Sequence, residues 1–536
     1  MEGQAVYSAT PLRSNPSDTF IGNEVFDFDS VMMSDNDIYS QEFAVVSESS
    51  TGGVPSPFQT KFRFQYEDLD SWVDLAGSFI RTRFRLVSNG TTDTTGATIP
   101  DIRSLWEQTI LSLGGKEIEN HSKDQWAYAQ MSNKMWSNKF LNTVGTHMGL
   151  YKTRAGQPGL EIISNGYDVS LTTPNLFPIS VLDLAGTTPL PIANTTALNY
   201  CGQNGIGTLQ SLEGATPTGE ATVFTGAYVE FWTPLSTLFG FCQAFPRVIK
   251  GLKLQIDLFK ASDKIRVWTP NGGNSPFATP ANHNVAVEWD RQGVQLYVRR
   301  IRANESIERS LTSRLVSGIN YRVTFEDWYM DRFNFGREEL RNEHRIVNVG
   351  SLPTRVWTCF QPTDYLTNQG LPSWVMTIPN LTEIQLIING QLVPQNIVKM
   401  NAVSINQINA PNQVDAFDDL QVPYQQYLAA CGAYQNSSPY MRNFRGGSGC
   451  LSYEEWRSTF PIFCWDLDNI AITPFFEGRA EIVIKFTKLF STTQDPPEPE
   501  TGYTMFTAVH CLKTAELSFK DHTSYITMNA PPTPPP

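Results

Sequence analysis

The sequence predicts an all-β protein, on three observations. Several segments alternate apolar and polar residues at the period of a strand: in "LKLQIDLF", Leu252, Leu254, Ile256 and Leu258 oppose Lys253, Gln255, Asp257 and Phe259. Glycine-bearing turns join such runs at Gly114-Gly115 and Asn389-Gly390. The composition, with 12% aromatics, 37 glycines and 34 prolines, favours strands and turns over helices. At 536 residues the chain exceeds one ordinary core, which points to two to four domains or two large β domains.

In order along the chain, residues 1–44 are polar, acidic and turn-rich and read as an arm. "FQTKFRFQY" and "SFIRTRFRLVSNG" read as strands, the second with Ile80, Phe84 and Leu86 on one face and Arg81, Arg83 and Arg85 on the other, closing on an Asn89-Gly90 turn. "TILSLGGKEIEN" reads as a hairpin. The segment from Asp124, "DQWAYAQMSNKMWSNKF", has helical spacing with Trp126, Met131 and Met135 near one face, and predicts an amphipathic surface helix. Residues 150–222 are rich in Thr, Gly, Pro and Asn and read as long excursions from a β scaffold. "YVEFW" is a short strand, and Pro234 can open the helical turn that "LSTLFGF" supports before Pro246 stops it. In "LKLQIDLF" four inward apolar side chains, at about 1.5–3 kcal/mol each, make a major contribution to a core. "VQLYVRRIR" is another strand.

A similar series follows. "YRVTFEDWYM", "HRIVNV" and "RVWTCFQ" are strand-like, and "TEIQLIINGQLVPQ" is a hairpin with Asn389-Gly390 at its tip. Residues 424–433 have helical character, and "STFPIFCWDLD" is an aromatic, proline-containing run. "RAEIVIKFTKLF" again alternates, with Ile482, Ile484 and Phe486 on one face. The order hairpin, helical patch, aromatic-proline run, alternating strand therefore occurs twice, an internal repeat. The Pro-rich stretches "TTQDPPEPETGY" and "APPTPPP" read as extended and outside any core.

Charge and motif content exclude several functions. The net charge is −13, and the first fifty residues hold nine acids and one basic residue, Arg13, so no basic arm grips nucleic acid. The start lacks the apolar core of a signal peptide, and no run of about 18 apolar residues suggests a membrane span. The five N-x-S/T sequons then read as chance, and the seven scattered cysteines as buried thiols in a reducing compartment. There is no G-x-S-x-G elbow and no phosphate loop. "GQNGIG" reads as a turn, and "RGGSGC" as a flexible loop, with an anion nest as the alternative. None of His121, His147, His283, His344, His510 and His522 has H-x-x-x-H spacing. The acidic stretch Asp27 to Glu42 lacks the glycine and final acid of a calcium loop and reads as solvated; calcium at a subunit contact is the alternative. No catalytic, cofactor-binding or metal-ligating residue is assigned, and no cofactor is expected.

The scaffold segments themselves carry a resemblance. "TPLSTLFGFCQAFPRVIKGLKLQIDLFKASDKI", with Pro234, Leu235, Phe239, Gly240, Phe241, Val248, Ile249 and Gly251, followed by "VQLYVRRIR", resembles the first-barrel signature of double jelly-roll major capsid proteins, those of Polinton-like viruses and adintoviruses above all. "RVWTCFQPTDYLTNQG", "LTEIQLIINGQLVPQ" and "TFPIFCWDLD" resemble the second barrel. The resemblance implies two eight-stranded antiparallel jelly-roll barrels side by side, with short helices and long loops. It sets an arm at 1–44, a first jelly roll at 45–305, a second at 306–490 and a Pro-rich tail at 491–536. It implies a non-enzymatic shell protein of the virion: a homotrimer, pseudo-hexagonal because three chains bring six similar barrels, tiling an icosahedral shell around double-stranded DNA. Its partners would be further copies of itself and minor or penton capsid proteins. The alternatives are a β-sandwich carbohydrate-binding or carbohydrate-active protein, with paired carboxylates in a groove, and a minor capsid or spike protein.

Overall fold

A computed structural model describes residues 38–49, 57–89, 96–98, 101–136, 144–145, 147–148, 209–210, 213–214, 223–225, 229–261, 266–268, 285–316, 321–349, 353–367, 376, 378–379, 381–400, 420–431, 451, 453, 456, 460–467, 480–489, 500–520 and 523–529. The "GQNGIG" run, the whole of "RGGSGC", and the acidic stretch before Ile38 lie outside these residues.

In the first half, β1 (Ile38–Ser47), β2 (Lys61–Asn89), β3 (Trp106–Leu113), β4 (Lys116–His121), β5 (Val229–Pro234), β6 (Val248–Lys260) and β7 (Val285–Ala303) belong to one antiparallel sheet. Its main path runs β1-β7-β2-β6-β3-β4, with β5 and the short strand Val223–Thr225 on β2. The two strands expected around residues 61 and 79 are one, and β2 builds both layers of the sandwich. Its first part, to Asp74, pairs with β6, and its second part, from Phe79, pairs with β5. The Trp289 ring on β7 lies 5.1 Å from Phe62 and 6.0 Å from Phe84. In a straight strand those two phenylalanines would stand roughly 70 Å apart, so β2 folds over on itself around that ring. Asp74 anchors the handover: it accepts the Gly77 N–H at 2.9 Å and pairs with Arg299 at 3.0 Å.

The alternation in β6 is used as the sequence predicts. Ile256 sits opposite Phe64 of β2 on one side and Leu111 of β3 on the other, fully buried. Outward-facing arginines of β2 each meet an acid of a neighbouring strand: Arg81 with Glu230, Arg83 with Asp290 and Arg85 with Glu288. Such partly exposed pairs contribute little energy. They do oppose a one-residue slip, which would send every arginine inward.

Helix α1 (Gln125–Met135) follows β4, and α2 (Gly240–Ala244) precedes β6. After β7, α3 (Glu305–Val316) leads to the second half and is tied back by Glu308, which accepts the Trp72 indole N–H at 2.6 Å and pairs with Lys250.

The second half is a sandwich of two antiparallel sheets. One holds β8 (Tyr321–Phe335), β15 (Tyr503–Lys520), β10 (Pro353–Pro362) and β13 (Phe463–Asp466) in that order, with β16 (Thr523–Asn529) also on β15. The other runs β9 (Arg341–Val349), β14 (Ala480–Lys488), β11 (Leu381–Ile388) and β12 (Gln391–Lys399). Phe486 joins the sheets, 4.8 Å from Phe335 and 5.4 Å from Phe360. Ile482, Ile484 and Phe486 are buried as the alternation predicts. The Asn389-Gly390 tip has φ of 50° and 78°, the left-handed pair a two-residue hairpin requires.

The internal repeat is a repeat of pairing. In the first half the alternating strand β6 lies beside β3 of the Gly-tipped hairpin. In the second, β14 lies beside β11 of the corresponding hairpin. A helix follows each hairpin: α1 in the first half and α4 (Gln421–Ala430) in the second.

Three expectations are corrected. Residues 38–44, placed in the arm, begin β1, which pairs with β7 along Ile38–Ser47. The tail expected from residue 491 contains β15, which pairs with β8 over fifteen residues, Tyr503 to Leu517, and with β10 on its other side. Met505, Phe506, Ala508, Val509 and Ala515 are fully buried, and flanking prolines masked a strand whose threonines dilute its apolar pattern. Finally, α1 is no surface helix: all eleven of its residues are buried, for a reason that lies at the contact between the two halves.

Candidate functional site

The two halves of the chain are joined through a buried contact, and "LFGF" is at its centre. Phe239 and Phe241 are fully buried. A Cβ placed on Gly240 would lie 1.8 Å from the Glu326 carbonyl oxygen on β8 of the second half. Only glycine lets α2 approach that strand so closely. Phe241 then meets the edge of Phe325 at 5.5 Å.

Helix α1 fills the rest of the gap. Its Trp126 meets Phe506 of β15 edge-on at 5.3 Å, and Tyr128 stacks on Trp328 at 4.3 Å. The Trp328 indole N–H donates to Gln125 Oε1 at 3.1 Å. At the far end the Tyr427 hydroxyl of α4 donates to the Lys134 carbonyl at 2.6 Å, so the helices of the two repeats touch. The helix is therefore covered by the first half on one side and the second on the other, which buries its polar face as well. Beneath it Asp101 and Arg103 form a buried pair at 2.7 Å. Arg103 also donates to the Ala129 carbonyl at 2.9 Å and Ser132 Oγ at 3.0 Å, with its guanidinium 4.1 Å from the Trp136 ring centre. The adjoining cavity, lined in part by Arg103, Ser132, Thr237 and Gln243, is about 20 Å³, room for one water.

Four charged groups meet beside Gly240. Glu119 and His121, two apart on β4, share a face. Glu119 accepts the backbone N–H groups of Gly240 at 2.8 Å and Phe241 at 2.5 Å. His121 Nε2 lies 3.2 Å from Asp327 Oδ1 of β8 and 3.4 Å from Glu119 Oε2, while Nδ1 is 2.9 Å from Thr109 Oγ1. The imidazole stacks on Trp328 at 4.1 Å. Lys513 of β15 pairs with the other oxygen of Asp327. Desolvation disfavours the imidazolium, yet the hydrogen bonds and charges of Asp327 and Glu119 outweigh it, and the His121 pKa is raised. Burial pushes the Glu119 carboxyl up, more than its His121 contact pulls it down. Asp327 is also desolvated, but His121 and Lys513 hold it below the usual range. For Lys513 the loss of water is outweighed by Asp327, and its pKa is raised.

Glu119, His121 and Asp327 bring three metal-type donor atoms within 4.8 Å of one another. They do not fit a metal ion. Glu119 is committed to two N–H groups, and a divalent cation would sit against the Lys513 ammonium. With the imidazole protonated, two carboxylates, one imidazolium and one ammonium would balance without a metal ion. Nor does the Glu119–Asp327 pair offer glycan chemistry, since both groups are buried.

No site residue was assigned from the sequence, so Glu119, Asp327 and Lys513 were missed, and His121 was noted only for lacking metal spacing. The local signal is Glu-x-His on a strand, ordinarily a solvated face. Asp327, the partner of His121 from the second half, is 206 residues away. Among the described residues no helix is long and apolar enough to cross a membrane.

No family model matches the chain, and no curated protein does. Solved structures do. A chain of the Sputnik virophage structure has a TM-score of 0.53 at 10% identity, covering 99% of this chain and 94% of that one. The mavirus major capsid protein has a TM-score of 0.48 at 10% identity, covering 94% of each chain. The Faustovirus major capsid protein has a TM-score of 0.45 at 10% identity, covering 89% and 90%. The first of these likenesses runs the length of the chain, and the fold is the double jelly roll.

Proposed function

We propose that the chain is a major capsid protein that self-assembles into trimeric capsomers of an icosahedral shell around double-stranded DNA. One observation carries this reading: the two sandwiches are locked into one block by a buried junction, in a fold that matches a virophage chain over nearly its full length. A shell subunit needs that rigidity. Its six barrels per trimer form a hexagonal tile only if the angle between the two barrels of each chain is fixed. The repeat in strand pairing makes the two barrels near-equivalent neighbours, as such a tile requires. Work of this kind needs no active site and no cofactor.

On this reading the chain divides into an N-terminal arm, a first jelly roll to about residue 305, and a second jelly roll that takes in β15 and β16. The acidic arm and the Pro-rich ends make contacts between capsomers or to minor and penton proteins. The chain's place is the capsid of the virion. A net charge of −13 leaves the neutralisation of packaged phosphate to other components.

Purified full-length protein examined by mass photometry and negative-stain microscopy tests this. The expected result is a trimer with a hexagonal outline that closes into shells at high concentration. Monomers that stay single at all concentrations would overturn it. Deleting residues 1–37, which precede β1, is expected to leave trimers and impair shell closure.

A further inference from the structure

We propose that Glu119, His121, Asp327 and Lys513 form a proton-dependent latch between the two barrels, closed while His121 carries its second proton and loosened when that proton is lost. The inference rests on the junction's geometry and does not depend on the assembly reading.

The four groups come from three strands and both barrels: β4 supplies Glu119 and His121, β8 supplies Asp327 and β15 supplies Lys513. With a doubly protonated imidazole, Nδ1–H donates to Thr109 Oγ1 and Nε2–H lies between Asp327 and Glu119. The formal charges then sum to zero around a fully buried imidazole, with Lys513 reaching the surface, and the cation is stacked on Trp328. From the remaining elements packed here, β3 offers only the Thr109 hydroxyl. Helix α2 offers two N–H groups and the Cys242 thiol, which burial keeps neutral. The Cys511 thiol of β15 lies beside Lys513. None of these can replace the lost positive charge. Removing the His121 proton leaves one uncompensated negative charge between the barrels, and Asp327 then faces Glu119 with no cation between them.

The sign follows from linkage. His121 has a raised folded-state pKa, so its contribution is complete below the unfolded value near 6.5 and is lost as pH rises through the folded value. The buried Glu119, also raised, adds a slope of the same sign. Asp327, held low, fails only in strong acid. The junction therefore withstands mild acid and yields to alkali.

Hydrogen exchange by mass spectrometry on the full chain, from pH 6 to pH 10 and corrected for intrinsic rates, tests the latch. Peptides over Lys116–His121 and Tyr321–Phe335 are expected to lose protection by about tenfold per pH unit above the midpoint, one proton's worth. The hairpin Leu381–Lys399 is expected not to follow. Equal behaviour of junction and hairpin would overturn the proposal. Glu119→Gln is expected to move the midpoint down by about one pH unit, and His344→Asn to leave it in place. Should Glu119→Gln fail to fold, carbon-13 histidine spectra of the wild-type chain decide. An imidazolium at His121 persisting above pH 7 supports the latch, and a neutral His121 at pH 6 refutes it.

Discussion

Gly240 presses its Cα against the Glu326 carbonyl, leaving no space for a methyl group, since a Cβ there would come within 1.8 Å of the oxygen. One residue of α2 thus sets how near the first barrel can stand to the second. The contact is backbone to backbone, so no rotamer change relieves it.

Gly240→Ala is therefore expected to destabilise the protein by at least about 1–3 kcal/mol, the cost of overpacking a filled core. Gly336→Ala is the control, because there the nearest atom to a Cβ is a Glu339 side-chain atom at 3.6 Å. Urea denaturation of both variants checks this. Equal midpoints would contradict the close approach.

Ile256→Asp buries a carboxylate between Phe64 and Leu111, with no cation opposite. Insoluble or unfolded protein is expected. Ile256→Val should remain folded and lose only about 0.5–1.5 kcal/mol. Soluble, cooperatively folding Ile256→Asp protein would mean that β6 is placed with the wrong face inward.

The Asp101–Arg103 pair has both side chains buried. Arg103→Met is expected to cost about 3–5 kcal/mol by stranding the Asp101 charge. Adding Asp101→Asn should recover part of that loss. A double variant no better than the single one, by thermal or urea melts, would show that Arg103 acts through packing on Trp136 alone.

Truncation after residue 500 removes β15, the strand that β8, β10 and β16 all pair with. The shortened chain is expected not to fold its second half. Removing only residues 530–536 should leave the melting temperature unchanged. Proteolysis that finds a stable second sandwich in the 1–500 chain would refute the placement of β15.

The strands whose information is local are legible in the residue order. Alternation in β6 and β14 puts Ile256 and Ile484 inside because side chains on a strand point to opposite faces in turn. The Asn389-Gly390 and Gly114-Gly115 turns follow from backbone angles that few other residues adopt. The resemblance of "PLSTLFGF" and its following strand to a capsid-protein signature located the two-barrel fold, although those residues had no visible task. Their task emerges only from the packing of one half against the other. A glycine's close approach is to Glu326, 86 positions further along the chain, and His121, on a strand that the sequence shows only as half of a hairpin, meets Asp327 from the other barrel, which Lys513 also pairs with. Tertiary structure likewise turned a helix that reads as surface into the filling of the junction, and a proline-flanked tail into a central strand. Burial periodicity records whether one face of an element is covered by its own sheet. It carries no record of a second body docking on the other face, and here that docking created both the buried helix and the charged latch.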